Sequence, residues 1–346
     1  MTTIMVGIEN SILVIDSSRG KIHEYLKGAN QQFDILKINP QSIAFDPQNT
    51  QRAYCATFGN GLWKTDDVGH TWSNIGKDII SSPNITSVAV SSLNRGDKFS
   101  EVYAGTEPSA LYISKDGGDS WDKMEALNKL SSSTSWSFPP RPWTHHIRWI
   151  EPDANNSNYI FVAIEAGALV QSRDGGITWK DRVELGPYDT HTLSTHTKTP
   201  KRLYSSAGDG YFESFDYGES WIRPMEGLKH SYLYGLAVDS GNPQVVIVSA
   251  SIRPSKAYSA ENAESFVYKK DEDSSKWRIV SNGLPEAGGT TVTTLASNPK
   301  VSDEFYAANN HGLFMSIDSG DSWTKLEVPW PREHLKTPWA IAISEC

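Results

Sequence analysis

The sequence predicts an all-β chain folded as a seven-bladed β-propeller whose ring is closed by its own two ends. Three observations predict it. A turn motif of the form S/T-x-D-x-G-x-S/T-W occurs as TDDVGHTW, SKDGGDSW, SRDGGITW, SFDYGESW and SIDSGDSW, with a decayed further copy in KKDEDSSKW. The motif tryptophans, Trp72, Trp121, Trp179, Trp221, Trp277 and Trp323, are spaced by roughly 40 to 60 residues, the period of a four-stranded blade. The two ends of the chain, finally, hold complementary fractions of one more blade.

Each motif reads as a hairpin turn. Its Asp can fold the carboxylate back onto backbone N–H groups, and its Gly supplies a positive φ that side chains resist. The Trp is placed to plug the gap between neighbouring sheets. Upstream of the first motif, Ile43 and Phe45, then Ala53 to Phe58, then Leu62 and Trp63 form three short apolar runs, and the residues after Trp72 supply a fourth strand. The same reading assigns blades to residues 41–76, 85–125, 144–183, 189–224, 233–280 and 292–327. TIMVGIENSILVIDSSRGKIHEYL offers three strands with no first one, and TPWAIAISEC an innermost strand with nothing after it. Residues 1–28 and 337–346 together make the seventh blade, which removes the open sheet edges. Residues 1–346 are thus expected to form a single domain.

Bulk properties narrow the function. With 38% hydrophobic and 21% charged residues the composition is ordinary for a globular chain. A net charge of −9 and the lack of a Lys/Arg run argue against a nucleic-acid partner. The N-terminus lacks a basic segment followed by an apolar core, and no stretch approaches a bilayer span, so a cytoplasmic protein without a membrane partner is expected. Cys55 and Cys346 make no disulfide framework, in keeping with a reducing compartment. There is no G-x-S-x-G elbow, Walker loop or G-x-G-x-x-G opening a helix.

The repeated motif resembles the Asp-box (BNR) repeat, and the whole chain is similar to Asp-box β-propellers, which include sialidases, sortilin-type receptors and a photosystem II assembly factor. More narrowly, RPWTHHIRWIEPD, EAGALVQSRDGG, GPYDTHTLSTH and AGDGYFES resemble a set of uncharacterised prokaryotic propellers labelled glycosyl hydrolases by this repeat. The resemblance implies the fold; because the group spans enzymes and pure binding proteins, function has to be argued from the site. Sialidases would imply an F/Y-R-I-P arginine near the N-terminus, two more arginines, an aspartate acid/base and a Tyr/Glu pair. The first blades hold no such motif, and FPPRPW at 138–143 lies in the wrong blade, so a true sialidase is not expected.

The innermost strand of each blade should begin at one mouth of the ring, with the repeated turns at the other end. Taking Asp46-Pro47 as register, the strand starts are Gln41, Thr86, His146, His191, Tyr234, Thr293 and Trp339. PWTHH from Pro142 aligns with PYDTH from Pro187, setting Trp143 over Tyr188, Thr144 over Asp189 and His146 over His191. Mouth loops add Asn60, Glu107, Glu165, Asp209 and His311. The candidate catalytic cluster is therefore His146, His191, Asp189, Glu165 and Asp209. It suits a divalent metal on His146, His191 and Glu165, or metal-free acid/base chemistry with Asp189 fixing a histidine tautomer, or hydrogen bonding to a polar ligand. Arg148, Arg253 and Arg141 offer anion anchors, and Tyr234, Trp339, Trp143 and His311 complete the candidate ligand-binding set. His145 should point away from His146 and pack between blades. Two long loops, Ala126 to Trp143 and Ser251 to Phe266, are predicted to form a partial lid, with Trp136, Arg253 and Tyr258 on the ligand. Two functions follow: a hydrolase or lyase acting on a glycan or a small polar or anionic substrate, or a non-catalytic propeller that binds a ligand or protein partner.

Overall fold

Seven antiparallel sheets follow one another around a ring in the computed structural model, which describes residues 2–8, 10–16, 21–24, 39–93, 98–270, 276–330 and 337–345. Their innermost strands are Pro40–Asp46, Ile85–Val90, Ile147–Pro152, Thr190–Ser194, Tyr232–Val238, Thr294–Ser297 and Ala340–Glu345; we number blades 1 to 7 in that order. Each innermost strand touches the next, and the last touches the first. In blade 7, Ala340–Glu345 pairs with Thr2–Ile8, which continues through Ser11–Asp16 to Lys21–Glu24, so the two chain ends share one sheet as the sequence predicts. Five sheets have four strands; in blades 3 and 4 the outermost strand shrinks to single bridges, Gln171 with Lys180 and Glu213 with Ile222. Residues 271–275 of the decayed motif and 25–28 of the predicted closing blade lie outside the described residues. Among the described residues no helix is long and apolar enough to cross a membrane.

Apolar packing lies between sheets, because alternation gives every strand two faces and every blade two neighbours. Met5, Val14 and Ala53 fill the gap between blades 7 and 1, Tyr54 and Val88 that between 1 and 2, and Phe305 and Ile247 that between 5 and 6. The repeated tryptophans complete these fillings: Trp72, Trp121, Trp277 and Trp323 are buried, each against the preceding blade.

At the far end of the ring from the strand starts, the turns repeat one hydrogen-bond set. Ser114 Oγ donates to Asp116 Oδ1 (2.8 Å) and accepts the Gly118 N–H (2.8 Å); Asp116 then accepts the Ser120 N–H (2.9 Å) and hydroxyl (2.5 Å). Trp121 Nε1 donates to the Gly118 carbonyl at 3.1 Å, a bond repeated at Trp72 and Trp323. Asp67, Asp174, Asp216 and Asp318 sit in the same arrangement. Gly118 needs its φ of +95°, and a Cβ there would stand 2.7 Å from Ile75. Burial would raise the Asp116 carboxyl, but its bonds from Ser120 and Ser114 hold it below the ordinary range.

The opposite end is set by a local irregularity. In blades 1 to 4 the innermost strand bulges one residue at its start, at Gln41, Thr86, Arg148 and His191, and in blade 5 it skips Tyr234 and Gly235. A bulge re-aims a side chain and bends its strand. Here it marks equivalent positions around the mouth.

Candidate functional site

Backbone hydrogen bonds fix the register at the mouth. The carbonyls of Asn39, Asn84, His146 and Asp189 accept the N–H groups of Phe58, Glu107, Glu165 and Gly208, at 2.9, 2.9, 3.3 and 2.8 Å. His146 is therefore the counterpart of Asp189, and the bulged Arg148 is the counterpart of His191. This corrects the predicted alignment of His146 with His191: the segment from Pro142 to the strand is two residues longer than the one from Pro187. The two imidazoles consequently lie at different depths.

A cavity of about 570 Å³ occupies the mouth. Blades 2 to 4 line one side with Glu107, His146, Arg148, Glu165 and Asp189; Tyr232, Tyr234, Tyr258 and Trp339 line the other. Tyr258 and Trp339 stack with centroids 5.5 Å apart at 27°, and the Tyr232 and Tyr258 hydroxyls meet at 2.5 Å. The two long loops both reach this cavity. Phe138 and Arg141 come from the first, Pro254 and Tyr258 from the second.

His146 stands between two glutamates. Its Nε2 is 2.7 Å from Glu165 Oε2, its Nδ1 is 3.5 Å from Glu107 Oε2, and Phe138 packs edge-on against the ring at 4.7 Å. Arg141 donates twice to Glu107, Nε to Oε1 at 3.0 Å and Nη2 to Oε2 at 2.6 Å, while its guanidinium lies over Phe58 and Phe138. Arg148 is buried, with Nε 3.6 Å from Glu165 Oε2 and its guanidinium over the Tyr234 ring. Burial alone would raise Glu165, but the hydrogen bond and charge of His146, with His191 and Arg148 beyond, hold it well below the usual carboxylate range. Asp189 is shifted the other way by burial, assisted by the charges of Glu165 and Asp209.

His191 lies beneath the cavity wall and is fully buried. Its Nδ1–H donates to the Leu233 carbonyl of the next blade at 2.5 Å, the bond that Thr86 makes to the Ile147 carbonyl at 2.7 Å. Its Nε2 makes no hydrogen bond and faces Asp189 Oδ2 at 3.7 Å and Glu165 Oε1 at 3.8 Å. One ligand atom each of Glu165, Asp189 and His191 lies within 4.8 Å of the other two. Of the predicted metal set, His191 and Glu165 fall in this group while His146 does not, its Nε2 lying on the other oxygen of Glu165.

Several predicted residues stand elsewhere. Asp209 accepts the N–H groups of Tyr188 (3.3 Å) and Asp189 (3.2 Å) and braces the loop without lining the cavity. Trp143 is 81% exposed, and Arg253 and His311 are also exposed; none of the three lines the cavity. Trp136 is not on the mouth: it is buried between blades 2 and 3, its indole N–H donating to Ser132 Oγ at 3.0 Å, where it anchors the long loop. His145 turns toward that indole, edge-on at 5.6 Å. Phe58 and the Arg141–Glu107 pair escaped sequence reasoning as a unit, because they come from three separate loops; blade register alone could have joined Phe58 to Glu107.

No family profile matches the chain. Among curated proteins it is similar to the oligoxyloglucan-reducing end-specific xyloglucanase of Emericella nidulans, at 19% identity over 325 residues, covering 78% of this chain and 37% of the relative. The chain therefore spans well under half the length of that relative. Among solved structures, the GH74 xyloglucanase of Xanthomonas campestris superposes with a TM-score of 0.69 at 16% identity, covering 94% of this chain and 52% of the other. YCF48 bound to a D1 peptide superposes with a TM-score of 0.58 at 17% identity, covering 88% and 92%. These likenesses show the β-propeller fold.

Proposed function

We propose that the mouth cavity is the active site of a glycan-cleaving hydrolase in which His146 and Glu165 form the proton-transfer pair. The observation that carries this reading is His146 lining the cavity between Glu107 and Glu165, at 3.5 and 2.7 Å, opposite the stacked Tyr258 and Trp339. An imidazole between two carboxylates can hold a proton, deliver it to a leaving glycosidic oxygen as that bond breaks, and take one back from the water that adds to the anomeric carbon. Glu165 orients the ring and balances its charge. The aromatic wall offers a sugar an apolar face, and Arg148 offers donors to an oxygen or anionic substituent. The similarity to xyloglucanases supports a glycan as ligand. In this reading the repeated turns are Asp boxes, the chain is one propeller domain, and its buried free thiol Cys55 agrees with a cytoplasmic setting.

The test is release of reducing ends from a panel of polysaccharides that includes xyloglucan. Turnover by the wild type, reduced about 100-fold or more by Glu165→Gln, is expected. Binding of a glycan without release would overturn the hydrolase reading. A second reading, a non-catalytic propeller that binds a peptide or protein partner, draws on one observation: YCF48 with its peptide is matched over 92% of its length, whereas the Xanthomonas xyloglucanase is matched over 52%. Failure to bind any glycan on the panel would favour it.

A further inference from the structure

We infer that Glu165, Asp189 and His191 hold a divalent transition-metal ion in the wall of the mouth cavity. The argument begins with the tautomer of His191. Because Nδ1 faces the Leu233 carbonyl at 2.5 Å, it carries a proton, so Nε2 is the ring nitrogen that can serve as a ligand atom. Nε2 is fully buried, lacks a hydrogen bond, and faces Asp189 Oδ2 and Glu165 Oε1 at 3.7 and 3.8 Å. A cation between the imidazole nitrogen and the two carboxylate oxygens would satisfy all three at once. A ring whose other nitrogen donates to a backbone carbonyl is also the usual support of a metal-binding histidine, since that bond fixes its orientation.

The surrounding bonds leave the three ligand atoms available. Asp189 uses Oδ1 to accept the Ala166 N–H at 2.8 Å, which turns Oδ2 toward His191. Glu165 uses Oε2 for His146 and faces Arg148 from the same oxygen, which leaves Oε1 on the His191 side. One imidazole nitrogen with two carboxylate oxygens suits Mn²⁺ or Zn²⁺ better than the all-oxygen cations Ca²⁺ and Mg²⁺. Glu165 and Asp189 both line the cavity, so the remaining coordination positions open toward a bound ligand. Metal binding stands independently of the proposed hydrolysis; only a catalytic role for the ion rests on that reading.

Titration calorimetry of the full chain, first stripped with a chelator, with MnCl₂ or ZnCl₂ alone as probe tests it. One equivalent should bind to the wild type. Affinity should fall at least about 100-fold in His191→Thr and in Asp189→Asn. His191→Thr installs the residue that blade 2 uses at the equivalent position, where Thr86 donates to the Ile147 carbonyl, and so retains the inter-blade bond. Asp189→Asn keeps the Oδ1 acceptor for Ala166 and decides the matter if His191→Thr does not fold. No heat from either ion with the wild type, or unchanged binding in the folded variants, overturns the site whether or not glycans are cleaved.

Discussion

The two ends of the ring obey different rules. At the turn end, five blades build the same hydrogen-bond set from the same residue types, and every turn aspartate has its bonds within the turn. At the mouth, equivalent positions hold five different residues, Gln41, Thr86, Arg148, His191 and Tyr234, and His191 Nε2 and His146 Nδ1 are buried without a hydrogen bond. Repetition therefore marks what the fold needs, and departure from repetition marks the residues that line the mouth cavity.

If that division is right, substitutions at the two ends should separate activity from stability. The largest effect is expected at the mouth. His146→Ala should lower kcat on a cleaved glycan by about 100- to 10,000-fold while the denaturation midpoint moves little, as read from parallel kinetics and urea unfolding. A comparable collapse of stability would erase the distinction. Next is Trp323→Ala, which opens the gap between blades 5 and 6 and should cost about 3–5 kcal/mol in unfolding free energy. Activity of the fraction still folded should be unchanged. Asp116→Ala, which deprives Ser114 and Ser120 of their acceptor, should cost roughly 1–3 kcal/mol by the same measurement.

The smallest effect sharpens the comparison through pH. The turn aspartates are lower in the folded chain than in the unfolded one, so their stabilisation is full above the unfolded value and is lost as pH falls through the folded values. Glu151, near the turn end of the innermost strand in blade 3, runs the other way. Burial, only partly offset by bonds from Thr195 and Trp149, raises it from 4.5 to about 7. The folded state then holds the extra proton, and stability declines as pH rises from about 4.5 to about 7. Melting curves of Glu151→Gln between pH 5 and 8 should be flatter than those of the wild type; identical slopes would remove Glu151 as the cause.

The same contrast explains what could be read from the sequence. Asp67, Asp116, Asp174, Asp216 and Asp318 announce the turns because each motif is local, its partners all within a few residues. The closing blade was legible because strand alternation survives at both chain ends. The mouth was harder. The sequence places His146 at a strand start, Asp189 just ahead of one and Glu165 on a mouth loop, yet their pairing depends on a bulge and on two extra residues after Pro142, neither of which alters the apolar pattern. Trp136 was misplaced for a related reason: in a Ser- and Pro-rich loop, nothing local distinguishes an indole that anchors the loop from one that faces a ligand. Only the packing of Leu127, Ile147 and Ile164 around it does so.

Closure by Ala340–Glu345 carries a consequence for the order of events during synthesis. Strands Thr2–Ile8 and Ser11–Asp16 leave the ribosome before the other six blades but lack their innermost neighbour until Ala340–Glu345 has been made. Trp339 directly precedes that strand and stacks on Tyr258, so the aromatic wall is assembled only when the ring shuts. A nascent chain holding six finished blades would have the acidic residues and the blade 5 tyrosines of the cavity without Trp339. A complete cavity wall would then require synthesis to have run through Ala340–Glu345.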